Sequence, residues 1–219
     1  MYVVLDPSQD HSQVPTGSTY GSIQPGTGSQ QVVSFLSFDG ATGRTRKALT
    51  PIQPEVRGHQ FFPDLAIEGG ALHVLWYDTR NDSCYSPARP IGNCADRTSV
   101  PALDVFATSS TDGGRTFAAA TRVTTTTTNG NWEQFGGRTV PFAGDYLWVS
   151  AVGATSYGTW TDYRDTVAAT DPREVAEDEG SSSTDVKQCR TLLSSGSFRG
   201  DTCPRTGGLD QNVYGARTP

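Results

Sequence analysis

Two copies of Trp-x-Asp-x-Arg, one with Trp76, Asp78 and Arg80 and one with Trp160, Asp162 and Arg164, set an indole, a carboxylate and a guanidinium close together. Arginine offers a planar fork of donors that matches a carboxylate or phosphate group, so Arg80 and Arg164 are candidates for holding an anionic substrate. Each Asp–Arg pair also reads as a structural ion pair that pins a strand end to a loop. Repetition at equivalent places favours that fold role. For the same reason Trp76 and Trp160 read as packing residues rather than platforms for a sugar ring. Asp64 and Asp145 open the same two segments. They are carboxylates, a residue type that can transfer protons. Tyr146, Tyr163 and Tyr214 supply phenols, Glu133 a further carboxylate and Arg138 a further cation.

The segments that carry these groups read as hairpins. Residues 62–68 run into a Gly69-Gly70 turn and continue through 71–80. Residues 142–151 run into a Gly-Ala-Thr-Ser turn and continue through 157–164. After each hairpin comes an irregular loop with one pair of cysteines, Cys84 and Cys94 in the first, Cys189 and Cys203 in the second. A third strand follows each loop, at 103–109 and 209–218. In the first copy this strand leads into Ser110-Thr111-Asp112-Gly113-Gly114-Arg115-Thr116-Phe117. Asp112 is placed to accept from the amides of its own turn. Gly113 and Gly114 can take the positive φ that such a turn needs. Phe117 is expected to restart a strand and anchor it, with 118–124 as the fourth strand. A fainter copy precedes these: 2–6 as the end of a second strand, 32–37 as a third, a decayed turn at 37–43, and 46–49 as a fourth. The unit is therefore four antiparallel strands with its signature turn between the third and fourth.

A Ser-x-Asp-x-Gly-x-Thr-aromatic turn in that place, on Ser110, Asp112, Gly114 and Phe117, resembles the Asp-box of the sialidase-like β-propellers. The likeness runs over nearly the whole chain. It implies an all-β fold, a partial propeller of the six-bladed type. Its units are an incomplete blade at 1–51, a complete blade at 52–125 and a third at 126–219 that stops before its Asp-box. The chain starts and stops inside blades, so the resemblance implies that further blades, or self-association, cover the open faces. It also implies a glycan-directed function, with a carbohydrate or glycoprotein as partner and exo-glycosidase action by the complete protein. On this view Arg80, Arg138 and Arg164 bind the sugar carboxylate. Asp64 or Asp145 serves as acid/base, Tyr163 or Tyr214 as nucleophile, and Glu133 as the activating carboxylate. The face opposite the Asp-box would hold the site. The Arg-Ile-Pro motif of catalytic sialidases is absent from this sequence. Non-catalytic binding of protein or glycan through the loop-rich face is the alternative.

Composition sets the outer limits. The chain has 219 residues, of which 24 are Gly and 13 Pro, and carries a net charge of −6. With Lys47 and Lys187 as its lysines and no basic patch interleaved with aromatics, it is not expected to bind nucleic acid. No apolar run is long enough to span a membrane. Two local disulfides are the favoured reading of the cysteines, which implies an oxidising, extracellular setting. No cofactor is required. The acidic stretch 171–179 reads as a solvated loop, or as a calcium site in the sharper reading. The threonine run 124–128 reads as an extended link, and His59 and His73 as isolated histidines.

Overall fold

The computed structural model describes residues 1–9, 29–87, 91–92, 94–96, 100–129, 147–153, 155–164, 191–192, 198–199 and 212–218. Among these residues there is no helix, and the strands form open antiparallel sheets. The first sheet is β1 (Tyr2–Leu5), β2 (Ser34–Phe38) and β3 (Thr45–Pro51), in that order. The second is a four-stranded meander of β4 (Gln60–Glu68), β5 (Ala71–Asp78), β6 (Asp104–Ser110) and β7 (Thr121–Arg122). In the third, β9 (Thr155–Asp162) lies between β8 (Trp148–Val152) and β12 (Asn212–Thr218). A short pair, β10 (Thr191–Leu192) and β11 (Phe198–Arg199), stands apart.

Local chemistry sets these elements. Gly69 and Gly70 both sit at positive φ, 56° and 85°, so a two-residue turn closes β4 onto β5 with the twist a hairpin needs. β5 is then paired along its length with β6, from Leu72 opposite Ser110 to Asp78 opposite Asp104. Alternation along a strand sends successive side chains to opposite faces. In β5 both sets are apolar, which is the pattern of a sheet covered on both sides. Val74, Trp76 and Phe106 face the first sheet and pack with Val33, Val4 and Ile52. Leu75, Tyr77, Val105 and Ala107 face the third sheet and pack with Leu147, Val149 and Trp160. The second sheet is thus the middle layer of three.

The layers interlock at specific points. Gly158 on β9 has no side chain where Leu75 enters; a Cβ there would stand 2.7 Å from Leu75 Cδ2. The buried Tyr77 hydroxyl donates to the Thr161 carbonyl (3.1 Å) and accepts from the Thr161 amide (3.0 Å), which ties β5 to β9. His73 Nδ1 meets Ser156 Oγ at 2.9 Å between the same sheets.

The pairing also fixes which loops share an end. Gln60, Asp78 and Asp104 lie together at one end of the middle sheet; Glu68, Leu72 and Ser110 lie at the other. The Asp112 turn leaves from the second end. Its expected chemistry is present. Asp112 accepts from Ser110 Oγ, the Thr116 amide and Thr116 Oγ1, and Ser110 Oγ accepts from the Gly114 amide. These donors, the Thr116 hydroxyl first, hold the Asp112 carboxyl well below the usual carboxylate range. Asp39 does similar work in the fainter turn. It is held down chiefly by Arg46 and also accepts from the Thr42 amide and hydroxyl.

Phe117 departs from expectation. It anchors the turn against Phe35, ring centroids 5.2 Å apart, yet it does not restart a strand. The fourth strand shrinks from the expected 118–124 to Thr121–Arg122. The turn's own hydrogen bonds and the Phe35 contact hold residues 111–117 away from β6. The Ala118 amide donates to the Ser109 carbonyl of β6 at 2.9 Å, and ladder pairing runs from Thr121 opposite Ala107 to Arg122 opposite Phe106.

Candidate functional site

The two Trp-x-Asp-x-Arg motifs fold into the same clamp. In the first, Asp78 is fully buried. It accepts from Trp76 Nε1 (2.9 Å), Arg80 Nε (2.9 Å), Arg80 Nη2 (2.6 Å) and the Arg80 amide (2.8 Å). The Arg80 guanidinium stacks on Phe106, 3.8 Å from the ring centroid. In the second, Asp162 accepts from Trp160 Nε1 (3.2 Å), Arg164 Nη2 (2.6 Å) and the Arg164 amide (2.8 Å), and Arg164 lies over Tyr214 at 4.2 Å. Phe106 and Tyr214 are the cross-strand partners of the two tryptophans. One geometry is therefore built twice, on different sheets. Its carboxylates are committed to neighbouring donors, and its arginines turn back onto the strand ends.

Arginines placed in this way hold the loop ends, and neighbouring oxygen atoms extend the clamps. Arg80 also donates to Gln53 Oε1, and Arg164 Nη1 to Thr125 Oγ1. Asp104, buried opposite Asp78, accepts from Arg122, Thr124 Oγ1, Thr127 Oγ1 and Asn81 Nδ2. The threonine run is thus a set of placed hydroxyls rather than a bare link. Of the candidate phenols, Tyr163 lies in the core between the second and third sheets, and Tyr214 lies half-buried under Arg164. Glu133, Arg138, Asp145, Tyr146, Cys189, Cys203 and the acidic stretch 171–179 lie outside the described residues. Cys84 and Cys94 form a disulfide, with Asp82 organising the loop by accepting from the Cys84 and Gly92 amides.

Asp64 has a different setting, and it leads to a cleft. A cavity of about 320 Å³ opens where the first, second and third sheets meet. Asp6, Phe62, Pro63, Asp64, Leu147 and Trp148 line it, with Val4 and Leu5 behind. Its position follows from a break in β4. Pairing with β5 shifts between Phe61 and Asp64, because Pro63 brings no amide to the ladder and Phe62 takes φ 50°. A non-glycine residue in the left-handed region costs roughly 1–2 kcal/mol, and such strain gathers at working sites. Here it turns the Phe62 amide out of the sheet and onto Asp6 Oδ2 at 3.0 Å. Asp64 repeats the arrangement one layer on, accepting from the Val149 amide on β8 at 2.7 Å and from the Leu65 amide at 2.9 Å. Each carboxylate thus caps the first strand of the next sheet.

Both carboxylates are aimed by backbone amides and keep lone pairs for a visitor. Burial pushes the Asp6 carboxyl above its ordinary value, and the Phe62 amide opposes that shift. Trp148, also at the cleft, is 64% exposed, and its register opposite Thr159 sets its side chain on the outer face of the third sheet with Val152 and Tyr157. Among the described residues the cleft has no cationic lining. Asp6 and Trp148 were not singled out by sequence reasoning. Asp6 gains its role from a strained residue 56 positions away, which no local pattern reports. Trp148 had one usable signal, a large aromatic at the start of a short strand.

Among the described residues no three His, Cys, Asp or Glu side chains converge as metal ligands, and no helix is long and apolar enough to cross a membrane. No protein-family model matches the chain, and no curated protein matches it.

Proposed function

We propose that this chain is a three-blade portion of a sialidase-type β-propeller, secreted and directed at glycans, which it binds in the cleft lined by Asp6 and Asp64. Three observations support the propeller reading. Three sheets stack face to face; β4 and β8, the first strands of their sheets, lie side by side; and the Asp-box turn leaves from the end opposite the cleft. The disulfide between Cys84 and Cys94 fits an oxidising compartment. The outer face of the third sheet carries exposed Val152, Tyr157 and Val213, which suits a covering blade or a second copy of the chain.

The cleft carries the functional reading. Sugar hydroxyls need fixed acceptors, and the apolar face of a pyranose needs a flat partner. Two amide-oriented carboxylates supply the acceptors, and Phe62, Pro63 and Leu147 supply an apolar wall. A second reading, hydrolysis by the complete protein, draws on the same pair. One carboxyl raised by burial and another fixed by amides, both lining the same cleft, supply groups for acid/base chemistry. The clamped state of Arg80 and Arg164 argues against sialoside hydrolysis by this chain alone.

The test is calorimetric titration of the chain with a glycan panel, with Asp6→Asn and Asp64→Asn as controls. Saturable binding that weakens in both variants is expected. A panel without a single binder would refute the reading. A fluorogenic sialoside should show no turnover above a protein-free blank, and turnover would establish the hydrolytic reading.

A further inference from the structure

We infer that the chain binds a second copy of itself head to tail. The outer face of the third sheet on one copy packs against the outer face of the first sheet on the other. The inference rests on the stacking of the sheets and is independent of the glycan reading. It begins with register. Trp76 and Trp160 hold the same place in the two clamps, so Val105, opposite Tyr77, corresponds to Val213, opposite Thr161. Val105 belongs to the face by which the middle sheet packs onto the third. Val213 lies on the same face one sheet on, the face that points away from the stack. Trp148, Val152 and Tyr157 share it, and all four side chains are more than half exposed. The third sheet thus repeats, toward solvent, the face that makes an interior contact in the middle sheet.

The other end of the stack supplies the partner. Val4 and Phe35 face the middle sheet, so Val3 and Leu36, paired across β1 and β2, face away. Leu49 on β3, exposed, joins them, because its neighbour Thr50 is paired with Phe35. Each copy therefore offers one outward face of each kind, and two copies cover both reciprocally, which doubles the area buried. The sheets approach one another along β1, β4 and β8. A stack joined along one edge turns as it grows, so a head-to-tail contact closes on itself. Charge agrees with this pairing. Arg217 is exposed on the outer face of the third sheet beside Tyr157. Its neighbour Thr218 meets Ser156, which meets His73, at the end of the stack that carries the Asp112 turn. There Lys47 of the first sheet already donates to the Gly114 and Arg115 carbonyls of the second. Arg217 would meet the Asp39 turn of the second copy in the same way.

The test is sedimentation of the full chain over a concentration series. A reversible dimer with a dissociation constant on the order of micromolar is expected. Val213→Asp and Leu49→Asp each alter an exposed position, one on each face. Either variant alone should weaken the dimer about tenfold or more, because it buries a charge. A mixture of the two keeps one intact contact and should associate more tightly than either variant by itself. Arg217→Glu should weaken the dimer about two- to fivefold. Should a variant fail to fold, the wild-type chain still decides: its indole emission should move to shorter wavelength as the dimer forms, because Trp148 leaves water. A chain that stays monomeric, a dimer without that shift, or growth into open filaments overturns the inference. So does a mixture no tighter than its components, which would point to contact between two third sheets. Monomers that still bind glycans remove this inference alone, and dimers without a glycan ligand remove the glycan reading alone.

Discussion

Replacing His59 by Asn should remove most of the pH dependence of stability between pH 8 and pH 5. His59 is fully buried, and its Nδ1 accepts from the Gln31 amide at 3.1 Å. An imidazolium cannot accept there, and burial already penalises the charge, so the His59 pKa is pushed down to about 4. In the unfolded chain a histidine titrates near 6.5. The unfolded state therefore takes up a proton on acidification that the folded state refuses. The stability contribution is fully present above pH 6.5 and is lost as pH falls toward 4. From these two values the loss is about 2 kcal/mol at pH 5 and about 3 kcal/mol below pH 4. Asn places an oxygen near the Nδ1 position and does not titrate. The assay is urea unfolding of wild type and His59→Asn at pH 8, 7, 6 and 5, followed by indole fluorescence. Wild type should lose about 2 kcal/mol across the series relative to the variant. The carboxylates do not mimic this. Asp39 and Asp112, held low, lose their stabilising effect only as pH falls below the ordinary Asp range. Asp6, raised by burial, acts in the opposite direction. Parallel pH profiles for wild type and variant would refute the reasoning, because they would mean that His59 protonates as readily in the fold as outside it.

Two further substitutions probe the turn and the clamps. Gly114→Ala should destabilise by about 2–4 kcal/mol, since its Cβ would sit 2.2 Å from Phe35 Cζ at φ 81°, whereas Gly40→Ala, with open space around it, should stay within about 0.5 kcal/mol; urea midpoints compare them. Asp78→Asn should cost about 3–5 kcal/mol by leaving Arg80 without its buried counter-charge, while Arg46→Ala, which breaks the exposed pair with Asp39, should barely move the thermal midpoint.

The repeated features were legible because their chemistry is local. Asp112 bonds to Ser110 and Thr116, and Asp78 to Trp76 and Arg80, so spacing alone reports them. The clamps also read in advance as fold elements through their repetition. Phe117 shows where local reading stops. Its aromatic character suggested a strand, but Phe35 on another sheet holds it off β6. The cleft was half legible. Asp64 stood out as an acid at a strand start, yet its partner Asp6 depends on the left-handed turn at Phe62 and on how two sheets meet. Such a juxtaposition exists only after the layers have stacked.

The threonines of 124–128 look interchangeable by composition, and the fold makes them distinct. Thr124 and Thr127 serve Asp104, Thr125 serves Arg164, and Thr128 pairs with Leu103 across an isolated bridge. The tract is therefore addressed by position, like teeth on a key. One added threonine would leave its chemistry almost unchanged, yet it would move every hydroxyl beyond the insertion off its partner. A slip in the length of this run would cost the chain more than most substitutions within it.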